Sequence, residues 1–182
     1  AMLATGVRRM VLASSWTYYG MALKGAVDET YPARPFPDVY AETKAAADMF
    51  VQDMIARKGL PAVIVRLGTM FGPGDHVNFG RMVERLRSGR AILIGSGRNA
   101  VPFVYVSDAV EGMILAANSE QAAGKAYNVT TDSPMTQKEL WVAVAEATGA
   151  RAPRLHVPYL PLYLLASVAE KGVRVDDPKS QP

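Results

Sequence analysis

The chain has 182 residues, no cysteine, two histidines, and a net charge of +3 from 20 basic and 17 acidic side chains. That length suits one compact domain, and 49% hydrophobic against 20% charged residues is a globular balance, not a disordered one. Disulfides, thiolate metal centres and cysteine nucleophiles are excluded, His76 and His156 lie in no ligand-spaced motif, and no Gly-x-Ser-x-Gly turn marks a hydrolase. The signs are interspersed, which argues against a nucleic-acid partner. The run Arg81, Arg85, Arg87, Arg90 reads as a solvated helix face. No signal peptide opens the chain, and its longest apolar stretch, Val157 to Ala169, is too short to span a bilayer. A soluble, cytoplasmic protein without a membrane partner is expected.

The opening, Ala1 to Gly6, reads as the last turn of a helix closing on a glycine, as expected of a piece of a longer protein. Met10 to Ala13 is a buried-strand pattern. A loop with Gly20, Gly25, Pro32, Pro35 and Pro37 follows, and Asp38 is placed to cap a long helix to Lys58, with Gly59 and Pro61 marking its end. Ala62 to Val65 is the next strand, and Gly68 to Gly74 a loop. Asn78 to Ser88 forms a second helix. Ala91–Ile94 and Phe103–Val106 read as strands, and Ser107 or Asp108 caps a helix to Ala117. Ala126–Val129 is another strand. Thr136 to Glu139 is a capping box opening a helix that stops at Gly149, and Leu162 to Glu170 gives a last helix. Strands alternating with helices predict an α/β fold with a largely parallel sheet.

In such folds chemistry gathers at the carboxyl ends of the strands, which singles out Ser14–Ser15 and the Gly68–Gly74 loop. Tyr40 and Lys44, four apart, share a helix face near its start. An ammonium close by favours phenolate over phenol, which suits Tyr40 to proton exchange while Ser15 hydrogen-bonds a substrate oxygen. Tyr and Lys at this spacing also occur by chance in a chain with eight tyrosines, so the pair alone is equally read as packing and solvation. Gly95-Ser96-Gly97-Arg98-Asn99-Ala100 matches a dinucleotide fingerprint, yet Val101-Pro102 and a β-forming run follow where a helix must open. It is rejected as a cofactor loop. Asp108 is read as a helix cap and Asp75–His76 as exposed loop.

The succession of motifs resembles the extended short-chain dehydrogenase/reductase family, the NAD-dependent epimerase/dehydratases, over nearly the whole chain. Val7 to Ser15 is similar to the family's strand ending in the active-site serine, and Tyr18-Tyr19-Gly20 stands at its Val-Tyr-Gly. Tyr40-Ala41-Glu42-Thr43-Lys44 matches its Tyr-x-x-x-Lys, with Ser15 lying 25 positions earlier. Arg66 to Gly74 resembles its Arg-x-x-Asn-x-Tyr-Gly-Pro loop, and Phe103 to Asp108 its Phe-Val-Tyr-Val-x-Asp signature. The resemblance implies a Rossmann-like, doubly wound parallel sheet with a small α/β substrate-binding region. Residues 1–182 would be one incomplete domain, with substrate-binding portions at about 68–102 and 126–175. It implies NAD or NADP as cofactor, Tyr40 as acid/base, and Lys44 holding the nicotinamide ribose. Gly68 would lie near the nicotinamide, and Ser15, Thr17, Thr69 and Asn78 would face a small-molecule substrate; a homodimer is compatible with it.

Thr69 departs from the family's usual Asn. The family's glycine-rich fingerprint is absent from this sequence, so the isolated chain is expected to be inactive. Nucleotide-sugar members place an Arg where Val101 stands. Loss of that anchor favours an apolar ketone or alcohol substrate, although Arg98 is close enough in sequence to compensate. The segment from Val157 to Glu170 is similar to a helix of sterol- and flavonoid-ketone reductase-like members, and reads equally as an ordinary buried helix. A nucleotide-sugar epimerase/dehydratase, or a non-catalytic Rossmann-like binding or regulatory protein, remain the alternatives.

Overall fold

The computed structural model describes residues 5–20, 23 and 25–161. In chain order the elements are β1 (Met10–Ser15), a 3-10 turn (Trp16–Tyr19), α1 (Val39–Lys58), β2 (Ala62–Leu67), β3 (Thr69–Phe71), α2 (Phe79–Arg87), β4 (Leu93–Ile94), β5 (Ala100–Val101), β6 (Phe103–Tyr105), α3 (Val106–Asn118), β7 (Ala126–Val129), β8 (Met135–Thr136), α4 (Gln137–Thr148) and β9 (His156–Val157). They divide into two compact units, one of residues 1–75 and 101–134, the other of residues 76–100 and 135–182.

The first unit is built on a parallel sheet in the order β1-β2-β7. Met10 pairs with Ala62 and Ser15 with Leu67, while Leu67 also faces Val129, so the three strands end side by side. Every residue of β2 is buried, the mark of a strand covered on both faces. Period-two alternation sends Val63, Val65 and Leu67 toward Ala109 and Ala116 of α3. Ala62 and Ile64 point the other way, toward Val51 of α1. One helix on each face of a parallel sheet is the doubly wound, Rossmann-like α/β arrangement. β3 and β6 form a second parallel pair, Thr69 opposite Phe103.

α1 starts and stops where the sequence says. The Asp38 side chain accepts from the Ala41 amide at 2.9 Å, and Gly59 closes the helix with its amide on Ile55 and Met54 carbonyls. The inner stripe Ala41, Ala45, Asp48, Val51 has helical spacing, and its two alanines are fully buried, so the backbone lies close to β1.

Three expectations need correction. Thr69–Phe71, read as loop, forms β3 because Phe103–Tyr105 offers it a free strand edge. The strand expected over Ala91–Ile94 shrinks to Leu93–Ile94, the length that β9 pairs with. α3 begins at Val106, before either expected cap; Tyr105 is its N-cap with no side-chain bond, and Asp108 sits in the first turn accepting from Ser107 Oγ at 3.0 Å. The helix expected over Leu162 to Glu170 and the opening residues 1–4 lie outside the described residues.

In the second unit, α2 and α4 pack together and β4 pairs in parallel with β9. Arg81, Arg85, Arg87 and Arg90 are all exposed while Leu86 is buried, so the basic run is a solvated face. The capping box at Thr136 forms, with Thr136 Oγ1 accepting from the Glu139 amide and Glu139 accepting from the Thr136 amide. The Gly95–Ala100 turn serves that same helix. Its Gly97 and Asn99 carbonyls accept from the Lys138 and Gln137 amides at 2.9 Å. The α4 amides that a pyrophosphate would need are therefore already bonded.

Candidate active site

Ser15 is the last residue of β1 and the N-cap of the 3-10 turn. Its Oγ accepts from the Thr17 amide at 3.3 Å and pairs with the Thr17 hydroxyl, Oγ to Oγ1, at 3.0 Å. Thr17 is only 8% exposed, so the structure sets it against Ser15. The next side chain, Trp16, donates its indole N–H to Thr69 Oγ1 at 3.1 Å and meets Phe36 edge-on, with ring centroids 5.5 Å apart. Gly20 ends the turn at φ +81°, where a Cβ would fall 2.0 Å from the Arg34 carbonyl oxygen. Only glycine fits there.

Tyr40 lies in the first turn of α1, 57% exposed, and its hydroxyl has no hydrogen-bond partner among the described residues. One turn on, Lys44 Nζ donates to the Ala13 carbonyl at 3.0 Å. This bond ties the Tyr40 helix to the strand that ends in Ser15, two residues beyond Ala13. It uses one of three ammonium donors. Gly68 follows β2 directly; its amide donates to the Val129 carbonyl at 2.9 Å, and a Cβ there would stand 2.9 Å from the Pro102 carbonyl oxygen. Close backbone approach explains the glycine. Asn78 is the N-cap of α2, in the second unit, and makes no side-chain cap bond. His76 is exposed, and no metal-holding cluster occurs among the described residues.

Beneath these residues lies a charged network that the sequence reading did not assemble. Arg66 in β2 is 2% exposed and Asp48 of α1 is fully buried. They meet in a two-point ion pair, Nε to Oδ2 at 2.9 Å and Nη2 to Oδ1 at 3.1 Å. Ser14, the register partner of Arg66, donates to Asp48 Oδ2 at 2.6 Å, and Gln52 donates to Oδ1 at 2.6 Å. Arg66 Nη1 donates to Tyr19 Oη at 2.8 Å and to the Glu29 carbonyl at 3.1 Å. Its guanidinium lies 3.7 Å from the centroid of the Tyr18 ring. Tyr19 donates onward to Asn128 Oδ1 at 2.6 Å. Burial opposes the Arg66 charge, but the bonds to Asp48 and Tyr19 outweigh it and its pKa rises above the ordinary value. Burial pushes the Tyr19 phenol up, with the Arg66 bond and charge pulling against it. The available signal was a charged residue inside an otherwise apolar buried strand, which demands a partner.

A family profile described as the NAD dependent epimerase/dehydratase family matches residues 1–130. A curated relative from Mus musculus, "Sterol-4-alpha-carboxylate 3-dehydrogenase, decarboxylating", is 32% identical over 97% of this chain and 51% of its own length. A 2-alkyl-3-oxoalkanoate reductase from Stenotrophomonas maltophilia is 31% identical over 79% of this chain and 44% of its own. Among solved structures, the NAD complex of UDP-glucose 4-epimerase from Thermus thermophilus superposes with a TM-score of 0.69 at 29% identity, covering 92% of this chain and 60% of that one. The chain thus spans about half the length of the curated relatives it matches.

Proposed function

The chain belongs to the NAD-dependent epimerase/dehydratase family, and on that premise we propose that it carries the catalytic side of an NAD(P)-dependent oxidoreductase acting at a carbonyl or alcohol carbon. The observation that carries this reading is the Lys44–Ala13 hydrogen bond, which ties the Tyr40/Lys44 face of α1 to the strand ending in Ser15. The nicotinamide, when bound, supplies or accepts the hydride. The donors present fit its ribose end: among the described residues Lys44 keeps two N–H groups for ribose hydroxyls, and Gly68 allows close approach at the end of β2. Ser15 donates to the reacting oxygen, and Tyr40, exposed and with no hydroxyl partner among the described residues, moves the proton on or off it. Thr69, its oxygen already bonded by Trp16, has a hydroxyl proton for the substrate.

An apolar ketone or alcohol of the sterol kind is the favoured substrate. Its support is the identity to the sterol dehydrogenase and the oxoalkanoate reductase, together with the Trp16–Phe36 aromatic pair next to Ser15. A nucleotide sugar is the second reading, favoured by the likeness to the UDP-glucose epimerase. The proposal includes a cytoplasmic homodimer, to which the exposed Met49 and Phe50 on α1 lend support; light scattering and cell fractionation check it. No helix among the described residues is long and apolar enough to cross a membrane.

The test uses the full-length polypeptide carrying this sequence, assayed with 3-hydroxy- and 3-ketosterols, alkyl ketones and UDP-sugars. Tyr40→Phe is expected to lower turnover roughly 10²–10⁴-fold while nicotinamide dinucleotide affinity survives. Retained turnover removes Tyr40 from the chemistry, and preference for UDP-sugars replaces the first substrate reading with the second.

A further inference from the structure

We infer that Thr17 is a positioning residue that fixes the Ser15 hydroxyl as a hydrogen-bond donor. The inference rests on the reading above, in which Ser15 touches the reacting oxygen. A serine hydroxyl has two lone pairs and one proton. The Thr17 amide, which can only donate, takes one lone pair of Ser15 at 3.3 Å, and Thr17 Oγ1 stands 3.0 Å away, a hydroxyl pair in which either oxygen can give its proton. With the Ser15 proton turned to a substrate oxygen, Thr17 Oγ1 becomes the donor to Ser15 and fills its second lone pair. Thr17 is buried, and the 3-10 turn holds its amide and hydroxyl on the Ser15 side.

The device matters because a hydroxyl free to rotate can accept as readily as it donates. A substrate oxygen gaining negative charge during hydride addition needs a donor already aimed at it. With its acceptor sites filled in this way, Ser15 presents its proton at the cost of no more than the turn of two paired hydroxyls. The benefit falls on the transition state and hardly on substrate binding, so it belongs in kcat and not in KM.

The test compares Thr17→Val, which removes the hydroxyl at nearly constant shape, with Thr17→Ala and Thr17→Ser in the full-length protein. Both hydroxyl-free variants are expected to lose about tenfold in kcat, less than removal of a direct oxyanion donor costs, with KM changed less than twofold. Thr17→Ser, which keeps both donors, restores kcat to within about twofold. A second readout needs no substrate: urea unfolding of this chain with Ser15→Ala, Thr17→Val and both together. If the bond exists, the double variant unfolds at the midpoint of the weaker single variant; additive shifts overturn the inference. Wild-type kcat in Thr17→Val or Thr17→Ala, beside an impaired Ser15→Ala, overturns the role of Thr17 alone. Wild-type turnover in Tyr40→Phe overturns the wider reading instead.

Discussion

Two polar constellations share helix α1, one turn apart, and differ in almost every physical respect. Tyr40 is exposed, its hydroxyl without a partner among the described residues, and Lys44 uses a single bond. Asp48, one turn further, is fully buried and accepts four hydrogen bonds, from Ser14, Gln52 and twice from Arg66. The first set has donors to spare and stands at the carboxyl end of the strands. The second is saturated and sealed. Unused hydrogen-bonding capacity marks where a ligand is to be met, whereas satisfied capacity marks what holds the meeting place still. Ser14 and Ser15 make the same contrast between adjacent residues: one donates inward to the Asp48 carboxylate, the other pairs only with the neighbouring Thr17.

Breaking the buried side should have the largest effect. Asp48→Leu leaves the Arg66 guanidinium buried without its counter-charge, and a stability loss of about 3–5 kcal/mol is expected; urea unfolding reads it. Arg66→Met combined with Asp48→Leu should recover much of that loss, because two apolar side chains need no mutual partner. Lys44→Met probes the other constellation. It should lower turnover of the full-length protein about 10²-fold or more and weaken dinucleotide binding, with only a small fall in melting temperature. A large fall would move Lys44 to the structural side of the comparison.

A pH titration sharpens the same division. Burial raises the Tyr19 pKa above its ordinary value of 10.0. The folded state therefore holds this proton after the unfolded chain has released it, so the associated stability is intact below about pH 10 and fades as pH rises beyond it. Thermal melts between about pH 8 and 11 should show the decline in the wild type and a shallower one in Tyr19→Phe. The smallest effect belongs to the second unit. Thr136→Ala removes one half of the α4 capping box and should cost about 1 kcal/mol, with turnover unchanged. The Glu139 carboxyl, held below its ordinary value by bonds from the Thr136 amide and hydroxyl, loses that contribution as acid protonates it.

The parts of this fold that were legible are those fixed by neighbours in sequence. Asp38, Gly59 and Pro61 bound α1, Thr136 and Gly149 bound α4, and the apolar run at Ala62 announces the central strand. What a distant edge decides was not legible: β3, read as loop, needs β6, and the strand expected over Ala91–Ile94 keeps only the length that β9 pairs with. The helix α3 was expected and is present, but its start was placed too late because no capping side chain announces it. Ser15, Tyr40 and Lys44 could be nominated from spacing. Their bonds could not, since Lys44 reaches Ala13 across 31 positions and Tyr19 reaches Asn128 across 109. Thr17 was expected to face substrate; only the fold shows it bonded to Ser15.

Arg66 has a consequence for how the chain finds its sheet. Ala62, Ile64 and Arg66 share one face of β2, and its other residues share the opposite face. A slip by one residue against β1 would exchange the faces and is opposed by every apolar contact. A slip by two would not, because the same face still meets α1 and the hydrophobic pattern is nearly indifferent to it. Such a slip would carry the guanidinium about 6–7 Å along the strand, away from Asp48 and from the Tyr18 ring. The buried charge thus acts as a key that only one alignment accepts, setting the ends of β1 and β2 level and bringing Ser15 beside Leu67, one residue before Gly68. Replacing both members of the pair by apolar side chains leaves that choice of alignment to packing alone.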